Sequence, residues 1–529
     1  MNSGLVTLLI NDVEKSLSWQ TAVQLATQLF QQKSPNFLNI IEQLIAIRKT
    51  EKSLYPMAFQ VCLAQKNYPR LRQFASYACE YFPDNALNHY ALAIANRYLH
   101  YQEASFSHLK QALALQPSNI GWQRLLATML KEQGNFTEAL AAFSSIIINA
   151  PNDFESYWLR ADLNTNLTET ERDQLINLCQ ASKLSKTQSK TQSKQMIFAG
   201  FTLFRYFDAQ NDYDNAFHYL SLANKIKRQS FNFDIQQELD EHHNIISTFP
   251  SQFLAQFPIA TNKKQIERER EAQGKTHDVH KELGENCIFI CGMPRSGTTL
   301  AEQIIANHSE VNAGDELYFL AQAANDVISQ LFHKDLSKQP FPLWANSLDS
   351  QHWRAIGKKY LSLTAHLSQG KRLTDKMPLN YKAIGIIKMA LPKAKIIYCQ
   401  RSTNDLLWGC YKQMFGEGNL FSYDLKELAK MICAHQQVMS HWQSIFTDAN
   451  DDEMKEGIFT LAYESLIDSQ EETTRQLLNY LELDWQDSCL NYHENTRTLH
   501  TLSNVQTRKP LSKKYDKQWL NYQKFLTIA

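Results

Sequence analysis

The residues Gly292-Met293-Pro294-Arg295-Ser296-Gly297-Thr298-Thr299 combine two glycines, one arginine and three hydroxyls. They follow the apolar run "CIFIC" and lead into a helical pattern, so the local reading is strand, turn, helix. Gly292 and Gly297 permit tight backbone turns. The amides of Ser296 to Thr299 would face inward at a helix N-terminus, a ready anion site. Arg295 adds a fixed charge and a planar fork suited to phosphate or sulfate oxygens. The spacing nearly matches the nucleotide loop G-x-x-x-x-G-K-[ST], but Thr298 stands in the lysine position. A triphosphate-using kinase needs that lysine and a metal-holding acid downstream, and no strand end supplies a convincing one. A donor with a single reacting anhydride would need neither.

Four further segments carry reactive residue types. "AKIIYCQRSTNDLLWGCY" reads as a buried strand ending at Arg401, with Asp405 and Gly409 beyond it. "VNAGDELYFL" pairs Asp315 with Glu316, and spacing alone does not decide which would take a proton. "LTDKMPLNY" places Lys376 ahead of Pro378. The C-terminal part holds "LAYES", with Tyr463 and Glu464, and "HTLSNVQTRKPLSKKYDKQ", with Thr501, Ser503, Gln506 and Arg508. Taken singly these are ordinary features: a strand-end ion pair, a solvated acidic loop, surface bases. In series behind the anion loop they gain weight.

"IFICGMPRSGTTLAEQIIANHSEV" resembles the 5′-phosphosulfate-binding loop of sulfotransferases. The chain resembles the bacterial tetratricopeptide-repeat sulfotransferases, whose catalytic domain is similar to that of protein-tyrosine sulfotransferases. The resemblance implies an all-α repeat superhelix followed by an α/β, P-loop-like domain with a mainly parallel sheet. It implies 3′-phosphoadenosine 5′-phosphosulfate as co-substrate and no metal. Arg295, Ser296, Gly297, Thr298 and Thr299 would then hold the 5′-phosphosulfate and Arg401 the 3′-phosphate. Glu316 would be the general base, and Lys376 with Arg295 would stabilise the charge that develops on transfer. Tyr463 would contact the adenine, and Ser503 and Arg508 would lie near the donor phosphates. Two positions depart from the family pattern. Gly409 stands where a serine binds the 3′-phosphate, and Gln413 where tyrosine-sulfating members carry an arginine. The acceptor hydroxyl is a protein tyrosine, a carbohydrate or a small-molecule alcohol. The non-enzyme alternative is a repeat scaffold with a weakened or inactive transferase domain.

The elements that must position these residues divide in two. Pro83, Pro117 and Pro151 recur at a spacing of 34 residues, each after an apolar helical stretch, with small residues in register at Ala93, Ala127 and Ala161. This resembles tetratricopeptide repeats, in which small residues allow close helix crossings and proline suits the break between repeats. The repeat domain is expected over 1–255, clearest at 52–161 and 195–228. A polar stretch, "ASKLSKTQSKTQSKQ", reads as an inserted loop. The strongly polar residues 256–284 read as a linker, and the transferase domain as 285–529. There "CIFICG", "AKIIYCQR" and "GIFTLAYE" are strands alternating with helices, so ligands belong at the strands' carboxyl ends. The repeats suit a protein or peptide acceptor, or serve only as a platform.

Basic and acidic residues balance at 54 each, which argues against general binding to nucleic acid. The nine cysteines form no C-x-x-C pair and no ligand-like spacing with histidine. Cys62, Cys79, Cys287 and Cys399 lie in apolar patterns and read as buried free thiols. The N-terminus has no basic region ahead of its short apolar run, and no stretch is long enough for a membrane span. A reduced, cytoplasmic protein is the expectation.

Overall fold

The strands are short, and the central ones are apolar with side chains that alternate between two buried faces. In the computed structural model, which describes residues 16–34, 36–180, 189–251, 283–331, 340–416, 418–446, 457–495, 497, 504–512 and 516–526, backbone contacts divide the chain into residues 1–152 and 153–529. That division falls well before the expected boundary at 255.

The first unit is helical. Its elements are α1 (Ser16–Gln31), α2 (Phe37–Ile47), α3 (Leu54–Ala64), α4 (Tyr68–Tyr81), α5 (Ala86–Tyr98), α6 (Gln102–Leu115), α7 (Ile120–Glu132) and α8 (Phe136–Asn149). Pro83, Pro117 and Pro151 each lie two residues beyond the end of α4, α6 and α8, where helix cannot continue. Asn85 and Asn119 then start the next helices by accepting from the amides of Leu87 and Trp122. Ala78, Ala112, Ala127 and Ala139 are fully buried at helix crossings. Gly134 makes the turn from α7 to α8 at φ 87°. Arg97 of α5 and Glu132 of α7 form a bidentate pair at 2.5 and 2.7 Å, linking successive repeats.

The second unit begins with α9 (Phe154–Arg160), α10 (Glu169–Gln180), α11 (Lys190–Ala209), α12 (Tyr213–Gln229) and α13 (Ile235–Thr248). The expected loop over 181–195 needs correcting at its end. Ser189 caps α11 in a reciprocal box with Gln192, so the second KTQ triplet is already helix. Gly200 of α11 lets α12 approach closely; a Cβ there would meet the Ala223 Cβ at 2.8 Å.

Five strands follow: β1 (Cys287–Gly292), β2 (Val311–Ala313), β3 (Arg372–Asp375), β4 (Lys395–Gln400) and β5 (Ile458–Ala462). They pair in parallel in the order β2-β3-β1-β4-β5. β2 and β3, only three and four residues long and each containing polar residues, were not expected from the sequence. Ile288 and Ile290 face a cluster with Leu300, Ile304 and Leu477. Phe289 and Cys291 face the opposite cluster, which also contains Phe201 of α11, Leu220 of α12 and Ile245 of α13. Those helices are thus part of the sheet domain's core. His242 of α13 confirms the docking with a 2.7 Å bond to the Tyr381 hydroxyl, and Arg228 of α12 pairs with Glu427 at 2.7 Å. The expected linker lies outside the described residues apart from 283 and 284.

From β1 the chain moves outward to β2 and β3, then crosses to β4 and β5 on the other side. The topological switch point is therefore between β1 and β4, and the crevice beyond their carboxyl ends is where such sheets bind ligands.

Candidate active site

Gly292 closes β1 at φ 149°, and a side chain there would collide with the Cys399 carbonyl at 2.5 Å. Gly297 caps the following helix, α14 (Thr298–Ala306), at φ 103° with no side-chain cap. Its missing side chain makes room for the Tyr463 ring, whose Cδ2 would lie 2.8 Å from a Cβ. Between the two glycines Arg295 is held at φ 70°. The Ser296 amide donates to the Met293 carbonyl, so it closes the turn instead of facing an anion as expected. Its hydroxyl is buried and has no hydrogen-bond partner among the described residues. Thr298 and Thr299 are buried in the first turn of α14, whose leading amides have no acceptor within the helix.

Arg401, just past β4, donates to the Arg295 carbonyl at 3.2 Å. Its guanidinium lies 4.0 Å from the centre of the Tyr463 ring and 3.5 Å from Asp405. Asp405 also accepts from the Ser402 hydroxyl at 2.6 Å and from the Lys517 amide at 3.1 Å. The helix after β4, Thr403–Tyr411, leans on the loop. A Cβ on Gly409 would sit 3.2 Å from the Arg295 Cβ, and the Cys410 thiol donates to the Pro294 carbonyl. The C-terminal segment reaches the same point, where Arg295 Nη2 donates to Gln506 Oε1 at 2.6 Å. Desolvation, and then the charge of Arg401, push the Arg295 guanidinium down to about 10, still protonated at neutral pH.

Sequence reasoning missed a third base here. Lys412, one residue past that helix, bonds to Gln518 Oε1 at 2.7 Å. Burial, and then Arg295, push its ammonium down to about 7; Asp208 offsets part of this, while Arg401 and Arg205 add to it. Arg205 comes from α11 and pairs with Asp162. Positive charge therefore gathers from β1, β4 and a helix expected to belong to the repeats. Periodicity gives no sign of that.

A second cluster forms at the ends of β2 and β3. Lys376 is fully buried, with Nζ 3.0 Å from Asp315 Oδ1 and 2.9 Å from Glu316 Oε1. Burial alone would push its ammonium down, but Asp315, Glu316 and Glu302 outweigh that and hold it above its ordinary value. The structure separates the two acids that spacing left equal. The Asp315 side chain is 6% exposed and that of Glu316 34%, so Glu316 is the one a substrate can reach.

The clusters are tied together by Glu302 of α14, another residue the sequence did not flag. It is fully buried, and accepts from the Thr374 hydroxyl at 2.7 Å, the Asp315 amide at 2.9 Å and Arg497 at 2.6 Å. The helix that starts at the anion loop thereby sets the position of the Asp315–Glu316 turn. Arg508 donates to the carbonyls of Asn495 and Arg497 at 3.0 and 2.6 Å and so braces the C-terminal segment. Ser503 lies outside the described residues. A cavity of about 250 Å³ beyond β4 is lined by Asp405, Glu464 and Asp516 among others, a charge unsuited to phosphate.

The sheet is all parallel, and an arginine-bearing, glycine-flanked loop stands at its switch point. Residues 287–487 match the Sulfotransferase family and residues 100–163 the Tetratricopeptide repeat. A sulfotransferase-like segment thus follows a repeat-like one along the chain. An uncharacterized protein of Aquifex aeolicus (strain VF5) is 28% identical over 423 residues, covering 79% of this chain and 51% of that protein. A protein-tyrosine sulfotransferase of Drosophila melanogaster is 26% identical over 217 residues, 39% of this chain and 40% of that protein. The chain spans about half the length of the curated relatives it matches. Among solved structures, the sulfotransferase domain from the curacin biosynthetic pathway is 15% identical, with a TM-score of 0.30, covering 44% of this chain and 89% of that one. Among the described residues no helix is long and apolar enough to cross a membrane.

Proposed function

We propose that the protein transfers a sulfuryl group from 3′-phosphoadenosine 5′-phosphosulfate to an acceptor hydroxyl, with a tyrosine in a protein or peptide as the acceptor class. The observation that carries this reading is the convergence on Arg295. Its carbonyl accepts from Arg401 and its guanidinium donates to Gln506, so the β1 loop, the β4 end and the C-terminal segment meet at one cationic point. The residues fit such a donor: the buried Ser296 hydroxyl lacks a partner among the described residues, and Gly292 and Gly297 leave the backbone open for close approach. When bound, the donor supplies an activated sulfur with adenosine 3′,5′-bisphosphate as leaving group.

Arg295 and the first turn of α14 hold the 5′ end of the donor, and Arg401 the 3′-phosphate. Glu316 accepts the acceptor's proton as its oxygen bonds to sulfur and the bridging bond to phosphate breaks. Lys376 holds the Glu316 carboxylate in place at 2.9 Å and lends positive charge to the transferring group. Tyr463 stacks under Arg401 and keeps its fork aimed. The tyrosine acceptor is favoured by likeness to protein-tyrosine sulfotransferases and by a repeat unit suited to a polypeptide.

The test is titration calorimetry with adenosine 3′,5′-bisphosphate. Binding at micromolar affinity, lost in Arg401→Ala, is expected; a folded protein that does not bind overturns the reading. Transfer from labelled donor to tyrosine peptides, and not to serine peptides or glycans, checks the acceptor.

A further inference from the structure

The repeat unit brings together three side chains that sequence spacing keeps apart. Cys79 closes α4, His89 sits in the first turns of α5, and His108 in the middle of α6. One ligand atom from each, Cys79 Sγ and two ring nitrogens, lies within 4.8 Å of the others. The Cys79 Sγ to His89 Nδ1 distance is 3.6 Å, and the two Nδ1 atoms are 3.2 Å apart. The rings of His89 and His108 stack at 5.5 Å and 21°.

Hydrogen bonding fixes what His89 offers. Its Nε2 lies 2.7 Å from the Pro83 carbonyl oxygen, which can only accept, so the proton of the neutral ring is on Nε2. Nδ1 therefore presents a lone pair toward Cys79 and His108. This is the arrangement of a metal-ligating histidine, whose outer nitrogen donates to a backbone carbonyl. Without an ion, the thiol and His108 compete for one lone pair. With an ion, three lone pairs converge.

The edges also have the right length. Metal–sulfur and metal–nitrogen bonds of about 2.3 and 2.0–2.1 Å at tetrahedral angles give sulfur–nitrogen edges of about 3.5 Å and nitrogen–nitrogen edges of about 3.4 Å. The two measured edges, 3.6 and 3.2 Å, agree within a few tenths of an ångström. His89 is buried, while Cys79 and His108 are half-buried, so one side of the cluster opens to solvent and a fourth ligand can enter.

We infer that Cys79, His89 and His108 bind a borderline transition-metal ion of the zinc class, with water or an external ligand in the fourth position. One thiolate and two imidazoles form a set that suits zinc and disfavours calcium or magnesium. The ion would clamp three successive helices, joining the end of one repeat to both helices of the next. This departs from the expectation of no metal that the family resemblance implied, and from the lack of a ligand-like cysteine–histidine spacing along the chain. It is independent of the transferase reading.

The experiment uses the full chain, stripped with chelator and titrated with Co²⁺ and then Zn²⁺. One equivalent of Co²⁺ should produce a thiolate-to-cobalt charge-transfer band, and Zn²⁺ should displace it. Cys79→Ser should abolish the band, and His108→Asn should weaken Zn²⁺ binding by about a hundredfold or more. Cys433→Ser, at an exposed thiol, should leave both unchanged. Absence of the band in the native protein overturns the site, as does a band that survives Cys79→Ser. Circular dichroism checks folding; if Cys79→Ser does not fold, unchanged binding in His108→Asn overturns the proposal and loss of binding upholds it.

Discussion

Substituting Gly409 isolates one hydroxyl at the site. The position faces Arg295, with only 3.2 Å between that residue's Cβ and a Cβ added at 409. Such a contact requires Arg295 to yield by a few tenths of an ångström, at about 0.5–1.5 kcal/mol if a side-chain torsion leaves its minimum. Gly409→Ala and Gly409→Ser both carry that Cβ, and both gain helix propensity, which affects stability and not the ligand. Their difference in affinity is therefore the hydroxyl alone. A hydrogen bond to a charged group contributes about 1.5–3 kcal/mol, or roughly 12- to 150-fold in Kd. Relative to the native protein, Gly409→Ala should bind adenosine 3′,5′-bisphosphate up to about tenfold more weakly, and Gly409→Ser equally well or better. Calorimetry measures both. Repeating it with adenosine 5′-monophosphate, which lacks the 3′-phosphate, should erase the gap between serine and alanine. Equal affinities of the two variants for the bisphosphate, or the same gap with the monophosphate, would refute the placement of the 3′-phosphate beside Arg401 and residue 409.

Glu316→Gln should abolish transfer while leaving bisphosphate affinity within about threefold, measured by radiolabel and calorimetry, since only the proton acceptor is removed. Lys376→Met leaves the buried Asp315 without its cation and should cost about 3–5 kcal/mol in urea unfolding; adding Asp315→Asn should restore part of the loss. Lys412 gives a pH dependence with a definite sign. Its folded pKa near 7 is depressed from the ordinary lysine value, so the penalty for burying its charge is fully present below pH 7 and fades as pH rises above it. An anion bound beside it favours the charged form, so bisphosphate affinity should fall between pH 7 and 9, by up to about tenfold per unit. In Lys412→Met that fall should be absent, and an unchanged slope would remove Lys412 from the site.

The central strands were legible because they are buried on both faces and read as unbroken apolar runs: "CIFIC" for β1 and "KIIYC" for β4. β2 and β3 were not, since three or four residues with Arg372 and Asp375 at the ends show no period. Yet the motifs attached to them were found, because chemistry concentrates at strand ends whether or not the strand is visible. Local motifs singled out Arg295 and Arg401 as candidates, and the family resemblance added Glu316 and Lys376. Neither located Glu302 or Lys412, whose significance lies in partners far along the chain: Arg497 for the one, Gln518 for the other.

The helices from α11 to α13 show how the same pattern can serve two cores. Their spacing resembles that of the repeats, and Ala216 and Leu220 of α12 are fully buried. The outer face of the pair also buries residues against the sheet domain, and Asn224 of α12 donates to the Tyr411 carbonyl at the end of the helix that bears Gly409. A repeat needs a neighbour to cover its apolar face; here the sheet domain provides one. Arg205 consequently reaches the electrostatic field of Lys412 and Arg295 from within a repeat-like helix. The charge around Arg295 and Lys412 is thus shared between the repeat-like helices and the sheet, and a deletion placed at residue 255 would remove Arg205, Asp208 and the helices that cover one face of the sheet.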